Sequence, residues 1–224
     1  MKRAFWGLAT AALTLWGSAA MATPSTNIWN PSTDIQAKGV YHVGLDTYFS
    51  VAKNASKPVN FPIDLGLTYG VGYGVEVGVD LNEPGANPVL FNAKWGLPEN
   101  DKYPAVAVGI MGVGIHSGTG SNQIYGLLSK TFNPYGRFTA GAYMANPNLV
   151  GNDNIGAIVA WDKSFGSKWW ASVDYSTGRN ICGGLGIGGS YKLASNVGVL
   201  VGYTLFPDTA TINDTVTVQF DLEF

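Results

Sequence analysis

A histidine and a serine stand side by side at His116 and Ser117, and Ser121 and Asn122 follow a few residues later. These residue types could support nucleophilic hydrolysis, in which a histidine activates a serine within hydrogen-bond reach. If the stretch ends a β-strand, adjacent side chains point to opposite faces of the sheet and cannot meet. The spacing therefore favours a polar collar at a loop, and we expect no enzyme activity.

Other kinds of site also lack the residues that they need. Cys182 is the single cysteine, so the chain has neither a disulfide framework nor a paired-cysteine metal motif. The glycines between residues 183 and 189 have strand spacing, and no helix pattern follows them to bind a phosphate. A formal charge of −2 gives no polyanion-binding character. We expect no cofactor and no nucleic-acid partner.

Acidic residues instead recur at even spacing. Glu76 and Asp80 are four residues apart, and Asp221 and Glu223 are two apart, with apolar residues between them. Even spacing along a β-strand places side chains on one face. The sequence thus predicts strands that have one acidic or polar face and one apolar face.

The same alternation continues through most of the chain between turn signals, and no helical period appears. It predicts strands at residues 39–49, 62–70, 74–82, 88–97, 105–116, 122–132, 136–145, 154–163, 168–177, 184–193, 197–206 and 215–224. Each is about nine to twelve residues long, which suits a tilted strand that crosses a bilayer. Short turns alternate with longer loops, with residues 98–104 as an exception. We predict an all-β fold, a single antiparallel transmembrane β-barrel of about twelve strands, with ten or fourteen as alternatives.

The positions of the aromatic residues indicate that the apolar face contacts a membrane rather than forming a soluble core. One group falls at strand ends on the side of the short turns, and a smaller group falls towards the other ends. Two belts at matched depths are typical of a bilayer interface, and a soluble core has no reason to order rings by depth. The first group is Tyr41, Tyr69, Trp95, Phe138, Trp161, Trp169, Tyr191 and Phe224, and the second is Phe49, Phe91, Tyr175 and Tyr203.

Three regions follow along the chain. Residues 1–22 have a basic start, an apolar centre and small residues before Thr23, which predicts a secretory signal peptide. Residues 23–38 are polar and contain Pro24 and Pro31, which predicts a periplasmic segment. Residues 39–224 form the predicted barrel.

The last strand carries the most specific signal. Phe220, Leu222 and Phe224 alternate with polar residues, and the pattern resembles the closing strand of bacterial outer-membrane β-barrel proteins of the porin-like kind. The resemblance implies insertion by the outer-membrane assembly machinery, contact with outer-membrane lipids and periplasmic termini. It implies no particular cargo.

Extending the alternation predicts a polar lumen with acids on the first three strands and the last, and with bases on the opposite side. The predicted pore-lining residues are Asp46, Asp64, Glu76, Asp80, Lys94, Lys130, Arg137, Asp174, Lys192, Asp221 and Glu223. His42 should lie near Asp221 and Glu223, as an ion-paired seam or as part of a cation site. Lumen-facing glycines would either widen the bore or relieve strand curvature.

We therefore expect a passive pore for small hydrophilic solutes. A closed barrel with a structural or docking role is the alternative, and an outer-membrane lipid hydrolase is the least favoured function.

Overall fold

The computed structural model describes residues 25–52, 63–83, 89–115, 120–207 and 212–224. Within them the chain forms twelve strands, as the alternation predicted, and one short helix. Their bounds are β1 (Tyr41–Ala52), β2 (Ile63–Gly72), β3 (Val75–Glu83), β4 (Val89–Leu97), β5 (Ala105–Gly114), β6 (Gln123–Phe132), β7 (Gly136–Met144), α1 (Pro147–Val150), β8 (Ile155–Phe165), β9 (Trp169–Ser176), β10 (Gly184–Ala194), β11 (Val197–Leu205) and β12 (Asp214–Glu223). The predicted signal peptide lies outside the described residues.

The strands form one closed antiparallel barrel. Each strand pairs with the next along the chain, and β1 closes the sheet against β12, with Gly44 opposite Asp221. Closure leaves no strand edge, so the backbone polar groups of the wall bond within the wall. No helix in the described part of the chain is long and apolar enough to cross a membrane.

The apolar face of this barrel points outward. Leu65, Ile187, Val201 and Phe220 are each close to half exposed. Such a surface does not suit water and does suit lipid. The predicted apolar face is therefore the outer one.

Aromatic rings cluster at the short-turn end of the barrel. Tyr41 lies between Tyr69 and Phe224, with ring centroids 4.6 and 5.7 Å away, and Trp169 contacts Tyr191 at 4.5 Å. Their strand positions match the predicted belt. Amphipathic rings at one depth are typical of a membrane interface.

The N-terminal segment lies inside the barrel. Residues 25–32 form a small hairpin, in which the N–H of Asn27 donates to the carbonyl of Asn30 and the N–H of Ser32 donates to that of Ser25. Asn27, Asn30 and Ser32 are buried. The sequence predicted residues 23–38 as a periplasmic segment; in the structure residues 25–36 lie inside the barrel, and Ala37 and Lys38 are exposed at its short-turn end.

The long turn at residues 98–104 packs against the end of β6. The Glu99 carboxylate accepts hydrogen bonds from the N–H and hydroxyl of Thr131, and it lies 2.9 Å from the Lys130 ammonium. Lys130 also donates to the carbonyl of Asn100. Lys130, a predicted lumen residue, therefore lies at the barrel rim.

These contacts predict a pH dependence for the turn. Partial burial of Glu99 opposes ionisation, but the hydrogen bonds from Lys130 and Thr131 outweigh it and lower the pKa of this carboxyl. The contact therefore stabilises the turn at neutral pH and is lost as the pH falls through that lowered pKa. An NMR titration of the Thr131 amide should show a midpoint below the ordinary glutamate range, and Lys130→Ala should raise it. A midpoint in the ordinary range would contradict the contact.

Candidate functional site

The tip of the hairpin is fixed by one buried carboxylate. Asp174 is completely buried, and its Oδ2 accepts from the N–H groups of Ile28 and Trp29 at 2.7 and 3.2 Å. Its Oδ1 accepts from the N–H and the side-chain amide of Asn30 at 3.1 and 2.7 Å. Because a buried carboxylate is costly unless it is hydrogen-bonded, these four bonds hold the tip against β9.

Asp174→Asn should loosen this anchor. An amide presents one acceptor oxygen in place of two, so at least one N–H of the tip loses its partner at a cost of about 1–3 kcal/mol. We expect a lower unfolding midpoint in detergent, measured by heat-modifiable gel mobility. Asp64→Asn is the matched control, because Asp64 faces the lumen and has no hydrogen bond to the hairpin. Equal midpoints for the two variants would contradict the anchoring role of Asp174.

Ile28 fits into a groove made by lumen-facing glycines. A Cβ at Gly186 or Gly202 would lie 2.9 or 2.6 Å from Ile28 side-chain atoms, which is too close for either wall to carry a side chain. Ile28 also packs in a buried cluster with Trp170 and Leu200. The glycines on β10 and β11 thus make room for the hairpin. This role differs from both roles predicted from the sequence, a wider bore and relief of strand curvature.

Arg137 ties the next part of the segment to the wall. Its guanidinium donates two hydrogen bonds to Asp34, at 2.6 and 2.7 Å, and a third to Asp162 at 2.9 Å. Such paired contacts give both strength and orientation. Arg137 is a predicted pore-lining base, and in the structure its charge is matched by two carboxylates.

Lys94 and Glu76 form a second anchor near the short-turn end. Their side chains lie 3.2 Å apart and are both buried. Glu76 also accepts from the Ser25 hydroxyl and the N–H of Gln36, while Lys94 donates to the carbonyls of Ser25 and Ser32. Lys94 is thus a second predicted pore-lining base that is neutralised by the contacts that seat the hairpin.

Two further predicted residues lie at the short-turn end. Glu223 accepts from the side-chain amide of Gln36 at 3.3 Å. Lys192 is half-buried on β10, and its N–H donates to the carbonyl of Lys168. Glu223 therefore contacts the N-terminal segment, whereas the contact shown for Lys192 involves its backbone alone.

The other side of the lumen is acidic. Asp46 on β1 stands directly opposite Asp64 on β2, and Asp80 on β3 stands opposite Gly66. Side chains directly opposite each other have Cβ atoms about 5 Å apart. Gly66 keeps the space beside Asp80 open, since a Cβ there would lie 3.3 Å from the Asp80 carboxylate. Three carboxylates thus share one patch of wall.

Neutral donors hold two of these carboxylates. The Tyr48 hydroxyl donates to Asp46 at 3.2 Å, and the Asn92 amide donates to Asp80 at 2.6 Å. Within the described residues, no lysine or arginine forms an ion pair with Asp46, Asp64 or Asp80. The negative charge of this patch is therefore uncompensated by the wall.

His42 and Asp221 form a seam beside the patch. The Nε2 of His42 lies 3.2 Å from Oδ1 of Asp221 across the β1–β12 closure, and both side chains are buried. The separation suits an ion pair, although the angle does not make a hydrogen bond. Of the two arrangements considered for His42, this contact corresponds to the ion-paired seam.

A partly open cavity of about 370 Å³ lies between the hairpin and the acidic wall. Apolar surface makes up most of its lining, and polar and charged side chains are set among it. Among its lining residues are Asp46, Tyr48, Asp64, Asp80, Trp29, Ile110, Met111, Ser121, His42 and Gln219.

Among the described residues, those considered for other chemistry form no such site. His116 and Ser117 lie outside the described residues, while Ser121 lines the cavity. Cys182 is buried, and burial raises the pKa of its thiol to about 12, so the thiol is unreactive at neutral pH. In the described ranges, no three metal-ligating side chains converge on one point.

Comparison with known proteins finds a similar architecture among solved structures. No family model matches the chain, and no curated protein matches it. A solved KdgM porin superposes with a TM-score of 0.51 at 10% identity, covering 83% of this chain and 98% of the porin. A KdgM porin in complex with disordered oligogalacturonate gives a TM-score of 0.53 at 8% identity, with the same coverage.

The fold is that of an outer-membrane porin. At such low identity the likeness concerns the barrel alone. The hairpin, the glycine groove and the acidic patch must be interpreted from this chain's own contacts.

Proposed function

We propose that this protein is an outer-membrane channel for small hydrophilic solutes, with a preference for cations. The observation that carries the proposal is the cavity beside the hairpin, whose wall holds Asp46, Asp64 and Asp80 without an ion pair to any described lysine or arginine. Uncompensated charge in a narrow passage raises the local concentration of counter-ions. The bases that could oppose it, Lys94 and Arg137, are matched by carboxylates.

The hairpin narrows the passage without occupying all of it. Its anchors, Glu76, Lys94 and Asp174, lie on β3, β4 and β9, and the cavity extends beyond them along β1 and β2 and to Gln219 on β12. A twelve-stranded barrel lies between the filled eight-stranded kind and the aqueous sixteen-stranded kind. A barrel of this width has room for both a short hairpin and a small aqueous path.

The proposed cargo differs from the ligand named for the similar porin. Oligogalacturonate, the ligand in that complex, is a polymer of acidic sugars. An acidic polymer would be repelled by the Asp46, Asp64 and Asp80 patch. The shared barrel therefore supports passage of solutes, while the wall chemistry of this chain favours the opposite charge.

We assign the short-turn end, with both termini, to the periplasm. Tyr41 and Phe224 exchange backbone hydrogen bonds there, at 2.8 and 3.0 Å, and close the barrel. Phe220, Leu222 and Phe224 face outward and are exposed, where the assembly machinery and lipids would contact them. Secretion by the predicted signal peptide fits this location.

A closed barrel with a structural or docking role is the second candidate. The buried anchors of the hairpin at Asp174 and Lys94 favour it, because they hold the hairpin firmly inside the lumen. The two candidates differ in conductance, since a closed barrel passes no ions.

The test is the reversal potential of the refolded mature chain in planar bilayers under a potassium chloride gradient. We expect small, stable current steps, and a reversal potential whose sign is that of the potassium equilibrium potential. Correctly folded protein that gives no current would support the closed barrel, and chloride preference would contradict the assigned role of the acidic wall.

A further inference from the structure

We infer that the cavity is a binding site for a small organic cation that carries primary ammonium or guanidinium groups. The inference rests on the proposed function, because it names the class of solute that the passage takes. It is carried by the placement of three carboxylates, one buried amide and two aromatic side chains around one space.

The carboxylates are positioned and left with free oxygens. The Tyr48 hydroxyl holds Oδ2 of Asp46, while Oδ1 has no hydrogen-bond partner in the described structure. Oδ1 of Asp64 also has none. Both carboxylates line the cavity, so an N–H donor that enters it can pair with carboxylates that the protein's own donors do not saturate.

A separate group points to the same ligand chemistry. Gln219 is 98% buried, stands opposite Asp46 across the β1–β12 closure and lines the cavity. Its amide donates weakly to Thr217 at 3.4 Å, and its Oε1 accepts no hydrogen bond from any residue that the structure describes. A buried acceptor without a donor is costly, so Gln219 adds an acceptor that no protein group uses.

The spread of these acceptors suits a polyatomic cation better than a metal ion. Asp46, Asp64 and Asp80 lie on three successive strands, and no three ligating side chains in the described ranges converge closely enough to hold a metal. A metal ion needs its oxygen ligands at about 2–2.6 Å from one point. An amine or guanidinium presents several donors over a larger span.

The remaining wall fits the carbon part of such a molecule. Trp29 lines the cavity with its ring edge-on to Tyr48 at 6.0 Å, and Ile110 and Met111 add apolar surface. Aromatic faces attract cations, and apolar walls bury methylene groups. A volume of about 370 Å³ is also in the range of small-molecule sites.

The test is calorimetric titration of the folded full-length mature barrel, in non-ionic detergent, with 1,4-diaminobutane. The probes for comparison are 1,4-butanediol, which has the same chain length without charge, and magnesium chloride at matched ionic strength. We expect saturable binding of the diamine and none of the diol. Asp64→Asn should weaken the diamine at least about tenfold, a loss of one ionic hydrogen-bond acceptor. Asp101→Asn, in the exposed turn at residues 98–104, is the matched control and should bind as the parent does.

The other outcomes overturn either this inference or the proposed channel on which it rests. Binding of the diol with equal affinity, or unchanged affinity in Asp64→Asn, would remove the role of the carboxylates. Tighter binding of magnesium than of the diamine would assign the cavity to a metal ion. Cation-selective current without diamine binding would refute this inference alone, whereas diamine binding without current would refute the channel.

Discussion

Deletion of residues 25–36 is expected to raise single-channel conductance about threefold or more, because the hairpin occupies a lumen that is otherwise wide enough for water. The deletion removes the hairpin tip that binds Asp174 and the following residues up to Gln36, which binds Glu76 on β3. Conductance in planar bilayers at symmetric salt measures the effect. Unchanged conductance in a folded variant would show that the segment does not restrict the path.

A point substitution tests the same idea without shortening the chain. In Gly202→Ala the new Cβ would lie 2.6 Å from Cγ2 of Ile28, so the hairpin tip must shift. Gly126→Ala is the control, because its Cβ would meet only Val108, at 3.9 Å. We expect larger or noisier current steps in Gly202→Ala and parental steps in Gly126→Ala. Identical records for both would contradict the seating of Ile28 against β11.

The second large effect concerns charge selectivity. The triple variant Asp46→Asn, Asp64→Asn and Asp80→Asn should lose most cation preference, with the permeability ratio falling about tenfold or more, since about 1.4 kcal/mol of charge interaction corresponds to tenfold. The reversal potential under a potassium chloride gradient should move towards zero. The substitutions conserve shape, so the barrel should fold.

The control for this variant is a charge change outside the lumen. Asp101→Asn removes one negative charge from an exposed turn and should leave the reversal potential unchanged. If the triple variant kept the parental reversal potential, selectivity would arise elsewhere, and the acidic patch would have no part in it.

The barrel could be predicted from sequence because a membrane strand repeats a simple rule. β3 alternates Val75, Val77 and Val79 with Glu76 and Gly78, and that period is independent of distant contacts. β5 and β10 differ from the predicted ranges by at most two residues at either end. The observed strand ends differ slightly from the predicted ones because the turns, and not the two-residue alternation, determine where strand pairing stops.

The hairpin could not be predicted in the same way. Its tip bonds to Asp174, 146 residues away from Ile28, mainly through backbone N–H groups, which every residue except proline possesses. Such contacts leave no pattern in the segment itself. The available signal lay on the partner wall, where Gly186, Gly188 and Gly202 cluster on facing strands and are fitted to Ile28.

The lumen charges illustrate the same limit. Alternation identified which face Lys94 and Arg137 occupy, but it could not show that Glu76 and Asp34 pair with them. Asp34 belongs to the segment that the sequence assigned to the periplasm. The acidic patch on β1 to β3 followed directly from the register of neighbouring strands, which the period and the turns determine.

The most direct test of a path beside a resident hairpin is conductance with the hairpin locked in place. The hydroxyls of Thr33 and Ser129 are 2.7 Å apart and buried, so Thr33→Cys with Ser129→Cys should form a disulfide, while Thr33→Cys with Thr204→Cys, on another strand, should not. The native thiol of Cys182 is unreactive and should not interfere. We predict that the locked protein carries small, cation-selective current that reduction does not change. If the disulfide-locked protein carried no current and current appeared on reduction, the hairpin would have to leave the lumen for ions to pass. That result would contradict an ion path beside the resident hairpin.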